Sequence, residues 1–156
     1  MTELRIGIGV DAHAFADGVP LVLGGVSFDH PRGLAGHSDG DVITHALIDS
    51  LLGAAGMGDI GKLFPSGEST PAGIDSLELL RAAVARVHDA GYRLVNADCV
   101  LIGQEPRIAA RRSEMESKLS TIASGPVSVR ATTTDRLGFT GRGEGLAAHA
   151  VALLSR

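Results

Sequence analysis

The sequence contains a single cysteine, Cys99, so no disulfide can form within the chain. Tryptophan is absent and aromatic residues make up only 3% of the composition, so the core must be built from smaller aliphatic side chains. No apolar run approaches the roughly twenty residues that span a bilayer, and the amino-terminal segment lacks the basic and apolar regions of a secretion signal. We therefore expect no membrane segment and a cytoplasmic location.

An excess of positive charge is also missing, since the formal net charge is −4. A nucleic-acid-binding domain needs a basic face to replace phosphate counterions, so nucleic acid is excluded as the expected partner. A chain of 156 residues with 44% hydrophobic residues is typical of one globular domain, here taken as residues 1–156. Cys99 lies in the apolar run 97–102, which favours a buried inert thiol over a nucleophile.

Hydrophobic periodicity predicts four strands and four helices in the order ββααβαβα. The second strand is expected to pair back on the first through a turn at Asp17–Gly18. These elements predict an α/β (α+β) fold with a four-stranded mixed sheet and helices on one face. The uncovered face favours a homo-oligomer in which other copies of the sheet cover it. The expected strands are 5–11, 20–28, 94–103 and 127–133, and the expected helices are 42–55, 75–90, 106–122 and 144–154.

Three residues form a candidate metal site with an open coordination position. Asp11 and His13 are two residues apart at the end of the first strand and so share one face. His45 lies near the start of the helix that Asp41 is expected to cap. Two imidazoles and one carboxylate suit catalytic Zn²⁺, which keeps a fourth position for water or substrate. The alternative is that these histidines are ordinary packed residues. The polar groups His37, Ser38, Asp39 and Asp41 nearby favour chemistry, because they are expensive to order otherwise.

Residues 131–145 leave a strand and enter the next element through a glycine-rich loop. Such loops present amides and hydroxyls to anions, although Thr132, Thr133 and Thr134 are also good strand residues. Together with a Lewis-acidic cation, and with spare carboxylates for a harder cation such as Mg²⁺, the loop suits polyphosphate chemistry.

Several segments together carry a resemblance to a known family along nearly the whole chain. The sequence resembles the 2-C-methyl-D-erythritol 2,4-cyclodiphosphate synthases of the non-mevalonate isoprenoid pathway. That resemblance implies a lyase that closes 4-diphosphocytidyl-2-C-methyl-D-erythritol 2-phosphate to the cyclic diphosphate and expels CMP. It also implies a homotrimer with sites between neighbouring subunits. The matching segments are 9–15, 36–41, 45–47, 58–65, 131–134 and 137–145.

The resemblance implies roles for individual residues. Zn²⁺ would lie on Asp11, His13 and His45, and Mg²⁺ or Mn²⁺ would accompany the substrate diphosphate with Asp135 as second-metal residue. His37 and Thr133 would stabilise the transition state. An axial cavity able to hold an isoprenoid diphosphate would be lined by Phe139, Arg142 and Glu144. The implied substrate-binding residues are Ser38, Asp59, Ile60, Gly61, Phe64, Pro65, Ser66, Gly67, Glu68, Gly103, Gln104, Glu105, Pro106, Arg107, Ile108, Ala109, Thr132, Thr134, Asp135, Phe139 and Arg142.

The chain departs from the family pattern at three places. Asp135 stands where members often have glutamate, Arg107 where lysine is common, and residues 66–68 where an aspartate-rich stretch often follows. Two other functions stay open at the level of sequence. A zinc phosphohydrolase would use the metal to activate water, and a non-catalytic oligomeric binder would use it only to hold the predicted hairpin of the first two strands to the first helix.

Overall fold

A computed structural model describes residues 1–156. The first part of the chain forms four strands, β1 (Leu4–Asp17), β2 (Leu21–Leu23), β3 (Val26–Phe28) and β4 (Arg32–Leu34). Three helices follow, α1 (Val42–Ala55), the one-turn α2 (Ile60–Leu63) and α3 (Ser76–Asp89). The remainder is β5 (Arg93–Ile102), a 3₁₀ turn (Ala109–Arg111), α4 (Arg112–Ala123), β6 (Val127–Thr132), α5 (Gly138–Gly141) and β7 (Gly145–Ser155).

The main sheet is mixed and has the strand order β4-β1-β7-β5-β6, with only β5 and β6 parallel. It holds five strands, where the sequence predicted four. The expected α+β architecture with helices on one sheet face is confirmed, because α1 packs on β1 and β7, α4 packs on β6, and α3 packs on α1 and α4. The core between sheet and helices contains Cys99, whose burial raises the pKa of its thiol to about 12.

The predicted final helix at 144–154 is wrong, because this segment is the central strand β7. Its alanines favoured a helix in the sequence, but both strand edges are hydrogen-bonded, to β1 on one side and β5 on the other. The small side chains of Ala148, Ala150 and Ala152 alternate along the buried face, where they leave room for α1. A hydrophobic pattern with a period of two in residues 144–154 indicates a strand, but the high helix propensity of alanine obscured it.

The predicted pairing of 20–28 with the first strand is also wrong. The chain reverses at Gly24 and Gly25, both with positive φ, so β2 and β3 pair with each other in a separate small sheet. The partners of β1 are β4 and β7. The third predicted helix starts later than residue 106, because residues 103–108 form an irregular segment before the 3₁₀ turn. The predicted bounds of α1 and α3 are confirmed to within one residue.

The second face of the main sheet carries exposed aliphatic side chains. Ile6 and Ile8 are 74% and 66% exposed, and they alternate along β1 with Gly7 and Gly9, which face α1. Val151 of β7 lies beside Ile8 on the same face. No helix of the chain is both long enough and apolar enough to cross a membrane.

Candidate metal centre and substrate cavities

The close packing of β1 on α1 brings together the two halves of the predicted metal site. A side-chain carbon at Gly9 would collide with the carbonyl oxygen of Ala46, so only glycine permits this approach. His45, the neighbour of Ala46 in α1, therefore lies against the strand that carries Asp11 and His13. The glycines of β1 thus explain how ligands more than thirty residues apart in sequence meet.

Asp41 fixes the start of α1, as predicted. Its buried carboxylate accepts hydrogen bonds from the Thr44 amide at 3.1 Å and the Thr44 hydroxyl at 2.7 Å. It also accepts from the amides of Gly24 at 2.8 Å and Gly25 at 2.7 Å. Burial, the largest influence, raises the pKa of Asp41, and these hydrogen bonds oppose that shift. One side chain therefore joins the helix start to the β2–β3 turn.

Asp11, His13 and His45 converge in the structure as the sequence predicted. Oδ2 of Asp11 lies 2.8 Å from Nε2 of His13 and 3.1 Å from Nδ1 of His45, and the two imidazole nitrogens are 3.3 Å apart. Ligand atoms around a tetrahedral zinc ion with bonds near 2.0–2.1 Å are separated by about 3.3 Å. The three atoms are therefore spaced almost as ligands of one ion.

The hydrogen bonds behind the imidazoles show which ring nitrogens are free to bind a metal. Nδ1 of His13 is 2.6 Å from the carbonyl oxygen of Ala35, which can only accept, so this nitrogen donates. Nε2 of His45 is 2.8 Å from Oγ of Ser76, whose own proton is donated to Asp39. His45 Nε2 must then donate to Ser76. In the neutral rings, Nε2 of His13 and Nδ1 of His45 both keep a lone pair directed at the carboxylate of Asp11.

Without a metal, the contacts within the cluster favour an ionised Asp11 and a proton on His13. Burial alone would raise the pKa of Asp11, but hydrogen bonds with His13 and His45 outweigh it and lower the pKa to about 2. The hydrogen bond with Asp11 raises the pKa of His13. The carboxylate is thus ionised at neutral pH, and three electron pairs meet with no proton between them when both rings are neutral. A divalent cation is the ligand that this arrangement fits.

A cavity of about 220 Å³ opens directly on this cluster. It is lined by several residues that the sequence predicted, with Thr70 and Leu79 as additional members. His37 belongs to this lining, and its Nε2 is 2.5 Å from the carbonyl oxygen of Thr70. The predicted residues in the lining are Asp11, His13, His37, Ser38, His45, Ile60, Gly61, Phe64 and Ser66.

A second cavity, of about 290 Å³, collects most of the predicted nucleotide-binding stretch together with the threonine loop. Gln104 lines this cavity, and its Oε1 is buried without a hydrogen-bond partner. Within one chain, this cavity and the metal-site cavity share no lining residue. The predicted residues in this lining are Gly103, Gln104, Pro106, Arg107, Ile108, Thr132 and Thr133.

The remaining predicted residues line neither cavity. Asp59 caps α2 through the Lys62 amide at 2.8 Å, and Thr134 is held by Leu137 and Thr140 at 2.6 and 3.0 Å. Asp135, the predicted second-metal residue, is exposed with φ 51°. Among the predicted axial-cavity residues, Arg142 pairs with Glu144 at 3.1 Å, and Phe139 is exposed. Pro65, Gly67, Glu68 and Ala109 are exposed. Glu105 contacts His30 and Arg32 instead.

The sequence analysis named Asp39 as a nearby polar group but missed the hydrogen bonds that hold the ligands in place. Asp39 accepts from both the amide and the hydroxyl of Ser76, and Ser76 in turn fixes the ring of His45. Asp49, one helical turn after His45, accepts the Ile60 amide at 2.7 Å and so anchors α2 beside the cavity. The spacing of Asp49 from His45 was a signal on the helix face, whereas no local pattern connects Ser76 to Asp39.

The chain is an α+β domain whose Asp-His-His cluster opens on a polar cavity. These features define its class as a protein with a candidate divalent-metal centre at the edge of its sheet. Comparison with known proteins gives the family. Residues 4–155 match the model of the YgbB family, and the chain belongs to that family.

Relatives and solved structures agree with this assignment. The chain is 52% identical to the 2-C-methyl-D-erythritol 2,4-cyclodiphosphate synthase of Alkalilimnicola ehrlichii, over 98% of this chain and 96% of that protein. Its fold matches the bifunctional IspDF from Campylobacter jejuni with a TM-score of 0.94 and 39% identity, over 99% of this chain and 43% of that one. It matches IspF from Plasmodium falciparum in complex with CDP with a TM-score of 0.84 and 34% identity, over 97% and 95% of the chains.

Proposed function

We propose that the chain is a 2-C-methyl-D-erythritol 2,4-cyclodiphosphate synthase of the non-mevalonate isoprenoid pathway. It converts 4-diphosphocytidyl-2-C-methyl-D-erythritol 2-phosphate to the 2,4-cyclodiphosphate and CMP. A 2-phosphate oxygen bonds to the β-phosphorus, and the bond from that phosphorus to the oxygen bridging to CMP breaks. The observation that carries the proposal is the convergence of one carboxylate oxygen and two imidazole nitrogens on a cavity, in a chain of this family.

The donor set fits zinc. Asp11, His13 and His45 would hold Zn²⁺ and leave a position towards the cavity, and Asp135 would contribute to a Mg²⁺ or Mn²⁺ site. These cations would act as Lewis acids on the substrate diphosphate and offset its negative charge. The hydrogen bonds behind the imidazoles suit this assignment, because both histidines donate their remaining N–H to oxygen, at Ala35 and Ser76.

The chain itself positions two anionic groups that repel each other. His37 and Ser38 lie in the metal-site cavity, where the Ser38 hydroxyl can donate to the 2-phosphate end. Nε2 of His37 donates to Thr70, so His37 donates to the phosphate from Nδ1 only in its doubly protonated form. Ile60, Gly61 and Phe64 line the same cavity and would limit access of water to a bound substrate. Thr132 and Thr133 offer hydroxyls to the diphosphate from the second cavity, so that His37 and Thr133 stabilise the transition state rather than act as bases. Because the nucleophile is part of the substrate, positioning and charge stabilisation are sufficient.

The second cavity is the proposed cytidine site. An amide oxygen buried without a partner is costly, and the exocyclic amine of cytosine is a donor that would satisfy Gln104 Oε1. Gly103, Gln104 and residues 106–108 would surround the base, and Arg107 in this lining would supply positive charge for the phosphates. A structurally similar protein, the Plasmodium falciparum IspF, has been solved as a CDP complex.

We propose a homotrimer for two reasons. The aliphatic face of β1 and β7 is too exposed to remain in water, and threefold packing of three sheets would cover it. The two cavities share no residue within one chain, so a neighbouring subunit must bring the cytidine site to the metal site. Phe139, Arg142 and Glu144 would then line an axial cavity for an isoprenoid diphosphate, with Arg142 as the partner of its phosphates.

The reaction in ¹⁸O-labelled water tests this proposal against hydrolysis. With Zn²⁺ and Mg²⁺, we expect the wild-type protein to yield CMP and a cyclic diphosphate with no solvent label at either phosphorus. ³¹P NMR and mass spectrometry report both properties. A linear bisphosphate as the main species, or label in the first product, would show that water is the nucleophile and that the protein is a phosphohydrolase. The absence of any turnover with metal bound would instead favour a binding protein.

A further inference from the structure

Glu105 lies in the middle of the proposed cytidine loop, but its carboxylate faces away from the cavity. Its neighbours Gln104 and Pro106 line the cavity, whereas Glu105 is not part of the lining. Oε1 of Glu105 is instead 3.2 Å from Nε2 of His30 and 3.7 Å from Nη2 of Arg32. Both partners belong to the segment around β4, far from Glu105 in sequence. Glu105 thus fastens the loop to another part of the fold.

His30 is a rigid partner for this contact. Its side chain is 9% exposed, and its ring stacks on Phe15 with 5.7 Å between centroids and 22° between planes. Nδ1 lies 2.8 Å from the carbonyl oxygen of Arg32 and 3.2 Å from the Arg32 amide. Nδ1 either donates to that carbonyl or accepts from that amide, depending on the tautomer of the ring. Nε2 faces the Glu105 carboxylate at ion-pair distance and can donate to it when it carries a proton.

Arg32 closes the cluster from the other side. Its guanidinium lies 4.4 Å from the centroid of the Phe15 ring, and Nη2 donates to the carbonyl oxygen of Gly143 at 3.4 Å. Phe15 is in β1, two residues after the metal-ligand candidate His13. The backbone of β4 pairs with the same end of β1, with Asp17 opposite Arg32. The anchor point of Glu105 is therefore the strand that also carries the proposed metal ligands.

We propose that Glu105 is a positioning residue that holds the cytidine loop against β1 and β4 through His30, Arg32 and Phe15. The inference rests on the proposed function, since it assumes that residues 103–108 bind the nucleotide. Glu105 does not contact substrate in this role. It reduces the freedom of the loop before binding, so the nucleotide meets an ordered pocket. Because Glu105 is more than half exposed, the effect is moderate.

Titration calorimetry with CDP, on the zinc-loaded protein, tests the positioning role. We expect Glu105→Ala to weaken CDP binding about fivefold, as for one partly exposed charged hydrogen bond. Glu105→Gln keeps an acceptor for His30 Nε2 but loses the pairing with Arg32, so about a twofold loss is expected. KM for the substrate should rise in parallel while kcat at saturation and zinc content stay close to wild type. Glu78→Ala removes a comparable surface pair with Arg81 and should change none of these values.

A double-mutant cycle separates positioning from general destabilisation. His30→Ala and Glu105→Ala should each weaken CDP binding, and the double variant should lose little more than either one. Unchanged CDP affinity in Glu105→Ala, or fully additive losses in the cycle, would overturn the positioning role while leaving the proposed reaction intact. A wild-type protein that binds no CDP would instead refute the proposed function and this inference with it.

Discussion

Individual atoms decide what the cluster of Asp11, His13 and His45 can bind. Two rings whose outer nitrogens donate to fixed acceptors present lone pairs inward when they are neutral, and an ionised carboxylate completes the set. The sequence predicted all three residues from spacing and residue type. It named Asp39 among the nearby polar groups but did not predict its hydrogen bonds to Ser76, because contacts between a loop and a helix start produce no periodic pattern in the sequence.

Replacing His45 by alanine tests the role of the cluster. We expect His45→Ala to abolish zinc binding and to lower turnover at least about a thousandfold, which corresponds to about 4 kcal/mol of lost transition-state stabilisation. Metal analysis and single-turnover kinetics measure the two effects. His88→Ala, at the end of α3, serves as the control and should retain both metal and turnover. Near-normal turnover in a metal-free His45→Ala protein would refute the metal centre.

At the level of elements, α1 was predicted almost completely because every local signal agreed. Asp41 provides the cap, an apolar stripe covers the helix, and Gly56 ends it in the left-handed conformation with φ 70°. The short strands β2 and β3 were misassigned as one, since two adjacent glycines in an apolar run are compatible with either a bend or a turn. Pairing partners are set by tertiary contacts that sequence periodicity does not report.

Two helix caps allow a matched stability comparison. Asp41→Ala removes the cap of α1 and leaves the amides of Gly24 and Gly25 without an acceptor, so we expect a loss of about 3–4 kcal/mol in the free energy of unfolding. Asp75→Ala removes only the exposed cap of α3 and should cost about 1 kcal/mol. Denaturant titration of both variants measures the difference. Equal losses would mean that the contacts of Asp41 to the β2–β3 turn contribute nothing.

The contact between β1 and α1 can be tested with two glycines. Gly9→Ala should destabilise the protein by about 3 kcal/mol, because the new methyl group overlaps the Ala46 carbonyl and forces strand and helix apart. Gly53 is exposed on α1 and has room for a side chain, so Gly53→Ala should be neutral or stabilising by up to about 1 kcal/mol. Thermal unfolding would show the opposite signs, and zinc affinity should fall only in Gly9→Ala.

For the whole molecule, the bare sheet face was predicted correctly even though the strand count was not. Large and small residues alternate in β1, as Ile6, Gly7, Ile8 and Gly9. This alternation indicates that one face of the strand packs against a helix and that the other face carries large side chains. The wrong helix at 144–154 changed the predicted strand order of the sheet, but not the prediction that helices cover only one of its faces. Sidedness is a local property of each strand, whereas strand order depends on contacts across the chain.

A charge on that face should disrupt the proposed trimer. Ile8→Glu places a carboxylate where neighbouring sheets would pack, so we expect monomers by analytical ultracentrifugation at micromolar concentration and a loss of turnover. Ala82→Glu adds the same charge on an exposed position of α3 and should leave the assembly unchanged. A monomeric wild-type protein, or an active monomeric Ile8→Glu protein, would contradict the intersubunit site.

The central position of β7 has a consequence for folding kinetics. Its partners β1 and β5 lie at the other end of the chain and in its middle, and Leu4 pairs with Ser155. During synthesis β1 and β5 cannot pair in the sheet until β7 is made, because the strand between them leaves the ribosome after both of them. Most stabilising pairings span long sequence separations, which makes closure of the sheet a late and slow event. Until then β1 and β5 lack their common partner and are available to other chains. Folding yield should therefore fall as the concentration of nascent protein rises.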